Sequence, residues 1–286
     1  MVHAPALAAH DGVEFVGVWG RNETKAADLA ARHGAAAYPS IDGLIADVDA
    51  IAVALPPDVQ APIALRAARA GRHLLLDKPV ALAPEQAAEI AAAVAERDLA
   101  SVVFFTRQFQ PAVREFLDRA AATGGWVEAR VDYVDTIFTP GNPFGASPWR
   151  LEKGGLWDIG PHAMAMVLRV LGPVVEVAAM VGEPDMTHVL ARHGTGAIST
   201  LSLSLNVPPA AARQEAVFAG STGIARMPSE PADQVAAFGY AVDELIGAAA
   251  GRLRPTVDVR FGAEVTAILA AAAEAARTGR AVPVGG

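Results

Sequence analysis

The sequence contains no cysteine, which excludes a disulfide framework, thiolate catalysis and any cysteine-ligated zinc or iron–sulfur centre. It also lacks an excess of positive charge. Its 23 Lys and Arg stand against 31 Asp and Glu, a formal net charge of -8. Nucleic acid and anionic membranes both reward a basic face, so neither is expected as a partner, and a small molecule is. No apolar run reaches the roughly 18 residues a membrane span needs, and the first residues lack the basic stretch and apolar core of a secretory signal, so a cytoplasmic location is expected. Repeats and low-complexity linkers are absent too. What is there is the composition of a packed protein: 286 residues, 52% hydrophobic and 19% charged. That length divides most naturally into two domains of about 150 residues.

Between residues 13 and 105 short apolar runs alternate with alanine-rich helical stretches, the βαβ pattern of a parallel sheet covered on both faces. The expected strands are Val13–Trp19, Ala50–Leu55, His73–Leu76 and Ser101–Phe105. Each is continuously apolar, as strands buried on both sides are. The expected helices between them are Glu23–His33, Asp58–Ala70 and Pro84–Arg97. After a helix near Pro111–Ala122 the texture changes to longer strands and hairpins over Trp126–Phe138, Val174–Gly182, Thr187–Ala191, Ala197–Leu205, Glu215–Ala219 and Ile224–Pro228. One helix is expected near Ile159–Leu171 and two near the C-terminus. The fold class is therefore α/β: a parallel sheet covered on both faces over residues 1–108, then a mostly antiparallel α+β domain over 109–286.

Two constellations could carry chemistry. In Ala70–Val80 (AGRHLLLDKPV) a buried strand ends in Asp77-Lys78-Pro79, and ligands of open parallel sheets sit beyond the C-terminal strand ends. Lys78 is thereby delivered to a ligand position, and either an extended residue before proline or a cis bond would fix its direction. A solvated strand-end charge pair is the competing reading. In Lys153–Met164 (KGGLWDIGPHAM), Asp158 and His162 stand four apart, which on one helix places both on one face. Against this, Asp158 could cap a helix beginning at Ile159, and His162 could be a satisfied core histidine. Taken together, a lysine, an aspartate and a histidine converging on a cleft suit the oxidation of a secondary alcohol, with the histidine taking the proton. Metal catalysis is not expected. Neither is a short-chain dehydrogenase, because no tyrosine stands four residues before a lysine.

AGRHLLLDKP is similar to the AGKHVxxEKP signature, and GGLWDIGPH to the GGGxxxDxGxH signature, of the Gfo/Idh/MocA oxidoreductase family. The resemblance spans nearly the whole chain. It implies a Rossmann-type sheet domain followed by a domain with a large open sheet, NAD or NADP as cofactor, polyhydroxylated substrates such as sugars or cyclitols, and Lys78, Asp158 and His162 as catalytic positions. By the same resemblance Arg107, Trp149 and Arg150 would contact substrate, while Arg21, Asn22, Leu55, Pro56, Asp77 and Lys78 would line the cofactor. Arg21, where an acidic residue would receive a ribose hydroxyl, favours NADP; it also reads as an ordinary surface arginine.

The sequence departs from the family in lacking the opening strand and its G-x-G-x-x-G turn. Val2–His10 resembles the helix that should follow that turn. In the strand order 3-2-1-4-5-6 the first strand is central, so without it the sheet should split and expose two edges. The loss would be comparable with a domain's whole net stability of about 5–15 kcal/mol. The expectation is that the working protein carries roughly 15 to 20 further residues ahead of Met1 supplying strand and turn. Smaller departures are Gln60, where many relatives have histidine, and Lys153, which replaces the first glycine of the second signature. The alternative to an enzyme is a catalytically silent nucleotide- or sugar-binding protein of the same fold. One face of the second sheet has no helix to cover it, so a homodimer or larger assembly is expected.

Overall fold

The computed structural model describes residues 2–142, 144–229 and 233–285. The chain forms two compact units: Met1–Ala81, Glu85–Phe109 and Ala232–Ala263 make the first, and Leu82–Pro84, Gln110–Pro231 and Glu264–Gly286 the second. Residues 232–263, read from the sequence as part of the second domain, pack with the first.

In the first unit, α1 (His3–Ala8), β1 (Gly17–Val18), α2 (Glu23–Arg32), β2 (Ala36–Ala37), α3 (Ile41–Asp47), β3 (Ala50–Val53), α4 (Pro57–Arg69), β4 (His73–Asp77), α5 (Pro84–Glu96) and β5 (Ser101–Phe104) alternate as expected. Every strand pair is parallel. The strands nevertheless form two sheets, β1-β2 and β3-β4-β5, which is the split the sequence predicts. Leu74, Leu75, Leu76, Val102 and Val103 are at most 1% exposed, as central strands of a covered parallel sheet should be. Ala50 and Ala52 on β3, by contrast, are exposed.

Val13–Trp19 is a strand only at Gly17–Val18. β2 and α3 were not read from the sequence, α3 although Ser40 caps it through Gly43 N at 3.1 Å. Between the two sheets lies a cavity of about 550 Å³, whose lining includes Phe15, Gly17, Ala50, Ala52, Leu75 and Leu245. The ladder bonds Ala36 N to Val16 O, Tyr38 N to Val18 O and His73 N to Asp49 O. By the alternation of a parallel ladder, the backbone groups of Phe15 and Gly17 on one side, and of Ala50 and Ala52 on the other, therefore face the cavity. The returning segment supplies α9 (Gln234–Ala249), which packs on α1, β4 and β5. It also covers the outer edge of β5, where Val103 N donates to Val257 O and Val259 N to Ser101 Oγ.

The second unit contains α6 (Pro111–Thr123), β6 (Trp126–Val134), α7 (Pro148–Asp158), α8 (Gly160–Leu171), β7 (Val174–Gly182), β8 (Met186–His193), β9 (Ile198–Ser204), β10 (Arg213–Gly220), β11 (Gly223–Arg226) and β12 (Val282–Pro283). α10 (Val259–Thr278) runs from the first unit into it. Its strands form one seven-stranded sheet in the order β11-β10-β6-β9-β8-β7-β12. All neighbours are antiparallel except β6 and β9. One face is buried beneath α7 and α8. The other carries Glu128, Arg130 and Asp132 on β6, and exposed apolar side chains such as Met180 and Leu190.

Candidate active site

In the first unit the candidate residues gather where parallel strands end. Arg21 and Asn22 follow β1, and both are exposed. Asn22 caps α2, its Oδ1 accepting from Lys25 N at 2.9 Å, so its side chain already has a structural task. Leu55 and Pro56 follow β3 and are half-buried. Arg107, also half-buried, sits in the single turn Thr106–Phe109 after β5.

Asp77 ends β4, the middle strand of its sheet, Lys78 follows it, and the Lys78-Pro79 bond is cis. This turn is held by Gln60, fully buried in the first turn of α4. Gln60 Oε1 accepts from Asp77 N at 2.9 Å, and its Nε2 donates to Asp77 O at 2.7 Å and Pro79 O at 3.0 Å, with Val80 O at 3.3 Å.

His3, which the sequence reading passed over, packs its ring edge-on against Phe238 and Phe104, with centroids 4.1 and 6.0 Å away. Burial pulls its pKa down, partly countered by the charge of Asp77. The sole sequence signal was a polar residue opening an otherwise apolar helix.

In the second unit Trp149, Arg150, Asp158 and His162 are brought together by a broken helix. Gly154 adopts φ +62°, which interrupts α7 and which residues bearing a Cβ rarely adopt. Gly155 lies so close to β9 that a Cβ would fall 2.8 Å from Ser204 N. These two glycines let Leu156–Asp158 lie against the sheet before α8 begins.

The expectation that Asp158 and His162 share one helix face is corrected. Asp158 ends α7, Ile159 intervenes, and His162 stands in the first turn of α8. Asp158 does not cap α8 either. It is 7% exposed and accepts from Arg150 Nε at 2.9 Å. The Arg150 guanidinium lies over the rings of Trp149 and Phe144, 4.9 and 5.0 Å from their centroids, and both contacts help to hold its direction. His162 is 9% exposed and stacks on Tyr133, centroids 6.0 Å apart and planes 16° apart. Tyr133 was not foreseen, because nothing in the local sequence of β6 links it to a helix 29 positions on.

The cofactor expectation can be tested on the strand ends. Arg21 and Lys78 offer cations, and Leu55-Pro56 an apolar wall. These fit the ribose and nicotinamide portions of a dinucleotide. Among the described residues, no turn of the G-x-G-x-x-G form joins a parallel strand to a helix for the pyrophosphate. Among the described residues, no helix is long and apolar enough to cross a membrane.

A family model described as an oxidoreductase family with an NAD-binding Rossmann fold (GFO_IDH_MocA) matches residues 1–105, and one described as the GFO/IDH/MocA C-terminal domain matches residues 127–226. The UDP-N-acetylglucosamine 3-dehydrogenase of Acidithiobacillus ferrooxidans is 28% identical over 208 residues, 71% of this chain and 62% of that protein. The dTDP-3,4-didehydro-2,6-dideoxy-alpha-D-glucose 3-reductase of Streptomyces antibioticus is 30% identical over 235 residues, 78% of this chain and 70% of its own. The WlbA dehydrogenase of Bordetella pertussis, solved in complex with NADH and UDP-GlcNAcA, has the same fold, with a TM-score of 0.85 at 22% identity over 99% of this chain and 94% of its own.

Proposed function

Because the chain belongs to the Gfo/Idh/MocA oxidoreductase family, we propose that it moves a hydride between a nicotinamide cofactor and a hydroxyl or keto carbon of a sugar, cyclitol or related polyol. A nucleotide-linked sugar is the favoured substrate, since two of its relatives act on such compounds by name. The observation that carries the reading is Lys78. It stands at the C-terminal end of the middle parallel strand, on a turn tied down on both sides of it.

The proposed roles follow from each group's chemistry. The Lys78 ammonium donates to the substrate oxygen and lowers the cost of its alkoxide. His162 takes the hydroxyl proton, for which an imidazole is suited near neutral pH. Asp158, its direction set by Arg150, accepts from a neighbouring hydroxyl, and Arg107, Trp149 and Arg150 contact the substrate. Arg21, Asn22, Leu55, Pro56 and Asp77 line the cofactor, which when bound supplies the hydride acceptor. Exposed Arg21 favours a 2′-phosphate and hence NADP over NAD. The protein is proposed to be cytoplasmic and to assemble as a homodimer or larger through the uncovered face of the seven-stranded sheet. Light scattering at micromolar concentration should give at least twice the 29.5 kDa chain mass, and a monomer would contradict this.

The second reading, a silent nucleotide- or sugar-binding protein, is favoured by the separation of the parallel strands into two sheets among the described residues. The two separate in one experiment. The protein is offered NAD or NADP with UDP-N-acetylglucosamine, a dTDP-hexose, myo-inositol and glucose, and reduced nicotinamide is followed at 340 nm. An enzyme turns over at least one pair and loses at least about 100-fold in rate as Lys78→Ala or His162→Ala. Binding without turnover, unchanged by Lys78→Ala, establishes the silent reading.

A further inference from the structure

We propose that Gln60 is the positioning residue of Lys78, its side-chain amide standing in for a strand residue that β3 does not supply. This rests on the reading in which Lys78 acts on the substrate. The β3-β4 ladder pairs Ala50 with His73 through to Val53 with Leu76, and there β3 ends. Because His73 N bonds toward β3, through Asp49 O, the alternation turns the N–H and C=O of Asp77 the same way, toward a strand that has stopped. Two backbone groups would be left without protein partners at a half-buried sheet end.

Gln60 fills both. Its Oε1 accepts from Asp77 N at 2.9 Å and its Nε2 donates to Asp77 O at 2.7 Å, the two bonds that a continuing parallel strand would make. The second Nε2 hydrogen then reaches Pro79 O at 3.0 Å. The residue before Lys78 and the residue after it are thus anchored to one side chain, which is itself fully buried at the start of α4.

Among neutral side chains this task needs one acceptor and two donors on one planar group, which a carboxamide has. A glutamate at 60 would accept from Asp77 N but set a charged oxygen against two carbonyls. A leucine would satisfy none of them. A histidine has one acceptor and one donor, but they point apart on the ring, so it can meet one of the groups at Asp77 and not the whole set. The expected order of Lys78 placement is therefore Gln, then His, then Glu and Leu.

The chain has three lysines, Lys25, Lys78 and Lys153, so the test can watch Lys78 without a substrate. The folded protein is reductively methylated with ¹³C-formaldehyde, and its dimethyl-lysine signals are recorded by NMR, with Lys78→Arg assigning the Lys78 peak. In the native protein that peak should be broadened and displaced from the signal of exposed Lys25. In Gln60→Leu and Gln60→Glu it should move onto the exposed-lysine position and sharpen, with Lys25 and Lys153 unmoved and the circular dichroism unchanged. Gln60→His should lie between.

An unmoved Lys78 peak in a folded Gln60→Leu or Gln60→Glu protein overturns the proposal. So does failure of all three variants to fold, which would make Gln60 a folding residue. Kinetics with the substrate found above add a second readout. Gln60→Leu should lower kcat roughly 100-fold, as a misplacement of about 1 Å can, with KM changed less than about 3-fold. In a Lys78→Ala background it should have no further effect; additive losses in that cycle also overturn the proposal. If Lys78→Ala leaves turnover intact while the NMR result holds, the catalytic reading of Lys78 fails and the placement by Gln60 stands.

Discussion

His193 shows how a single buried group sets a pH limit on this protein. It is 1% exposed, with Nδ1 bonded to Gly172 O at 2.7 Å and Nε2 to Ser199 Oγ at 2.9 Å. Carbonyl and hydroxyl together fit the neutral ring, protonated at Nδ1. Burial lowers its pKa, and burial lowers that of His3 likewise. On acidification the unfolded chain therefore takes up these protons first, so stability is full above pH about 6.5 and falls below it, by at most about 1.4 kcal/mol per pH unit for each group. Urea unfolding between pH 7.5 and 5 should show that slope in the native protein and a shallower one in His193→Gln. A slope unaffected by the substitution would remove His193 as a cause. At the same scale, Arg150→Leu should cost about 1.5–3 kcal/mol, because it strips the Asp158 carboxylate of a charged partner; equilibrium unfolding measures it. The candidate acid–base residues were legible because their type and spacing lie in short local motifs. Arg150 as the partner of Asp158, and Tyr133 as the platform for His162, were not, since those contacts depend on how α7 breaks and where β6 lies.

Elements were legible where their periodicity is sustained and blurred where a neighbour is wanting. Val174–Gly182 is a strand over the full predicted range, whereas Val13–Trp19, apolar but for Glu14, pairs over two residues. β1 has β2 on one side and an open slot on the other, and strands are stabilised by their cross-strand neighbours. Joining a five-residue apolar strand and a glycine turn ahead of Met1 should let that strand run parallel between β1 and β3, giving one six-stranded sheet. At about 2–4 °C per kcal/mol for a domain of 150–250 residues, the thermal midpoint should rise by at least about 4 °C, and the amides of Gly17 and Ala52 should gain protection from hydrogen exchange. No change in either would mean the slot does not accept a strand. The broken helix makes a further point, since Gly155 proves to be a close contact with β9 that no local sequence signal announces. Gly155→Ala would press a methyl onto the backbone of β9 and should cost about 1–3 kcal/mol, measurable by thermal unfolding with Gly239→Ala, whose added methyl meets nothing within 4 Å, as the reference.

At the scale of the molecule, the change from alternating helices and short strands to long hairpins is legible in the sequence after the helix near Pro111–Ala122, because parallel and antiparallel sheets have different sequence textures. The return of Ala232–Ala263 to the first unit left no such mark. α9 is an apolar helix that could have packed on either sheet, and its choice is made by surfaces far away in sequence. The second sheet carries a similar long-range dependence, since its parallel pair joins Glu128 to Ile198 across the whole of α7, α8, β7 and β8. These dependences fix an order of events on the ribosome. β5 is finished at Phe104, but the helix that covers it and the segment that seals its edge are made only after residue 233. At about 5–20 residues per second, the nascent first unit waits on the order of ten seconds with an apolar sheet unsealed, and that interval is when a chaperone has something to hold.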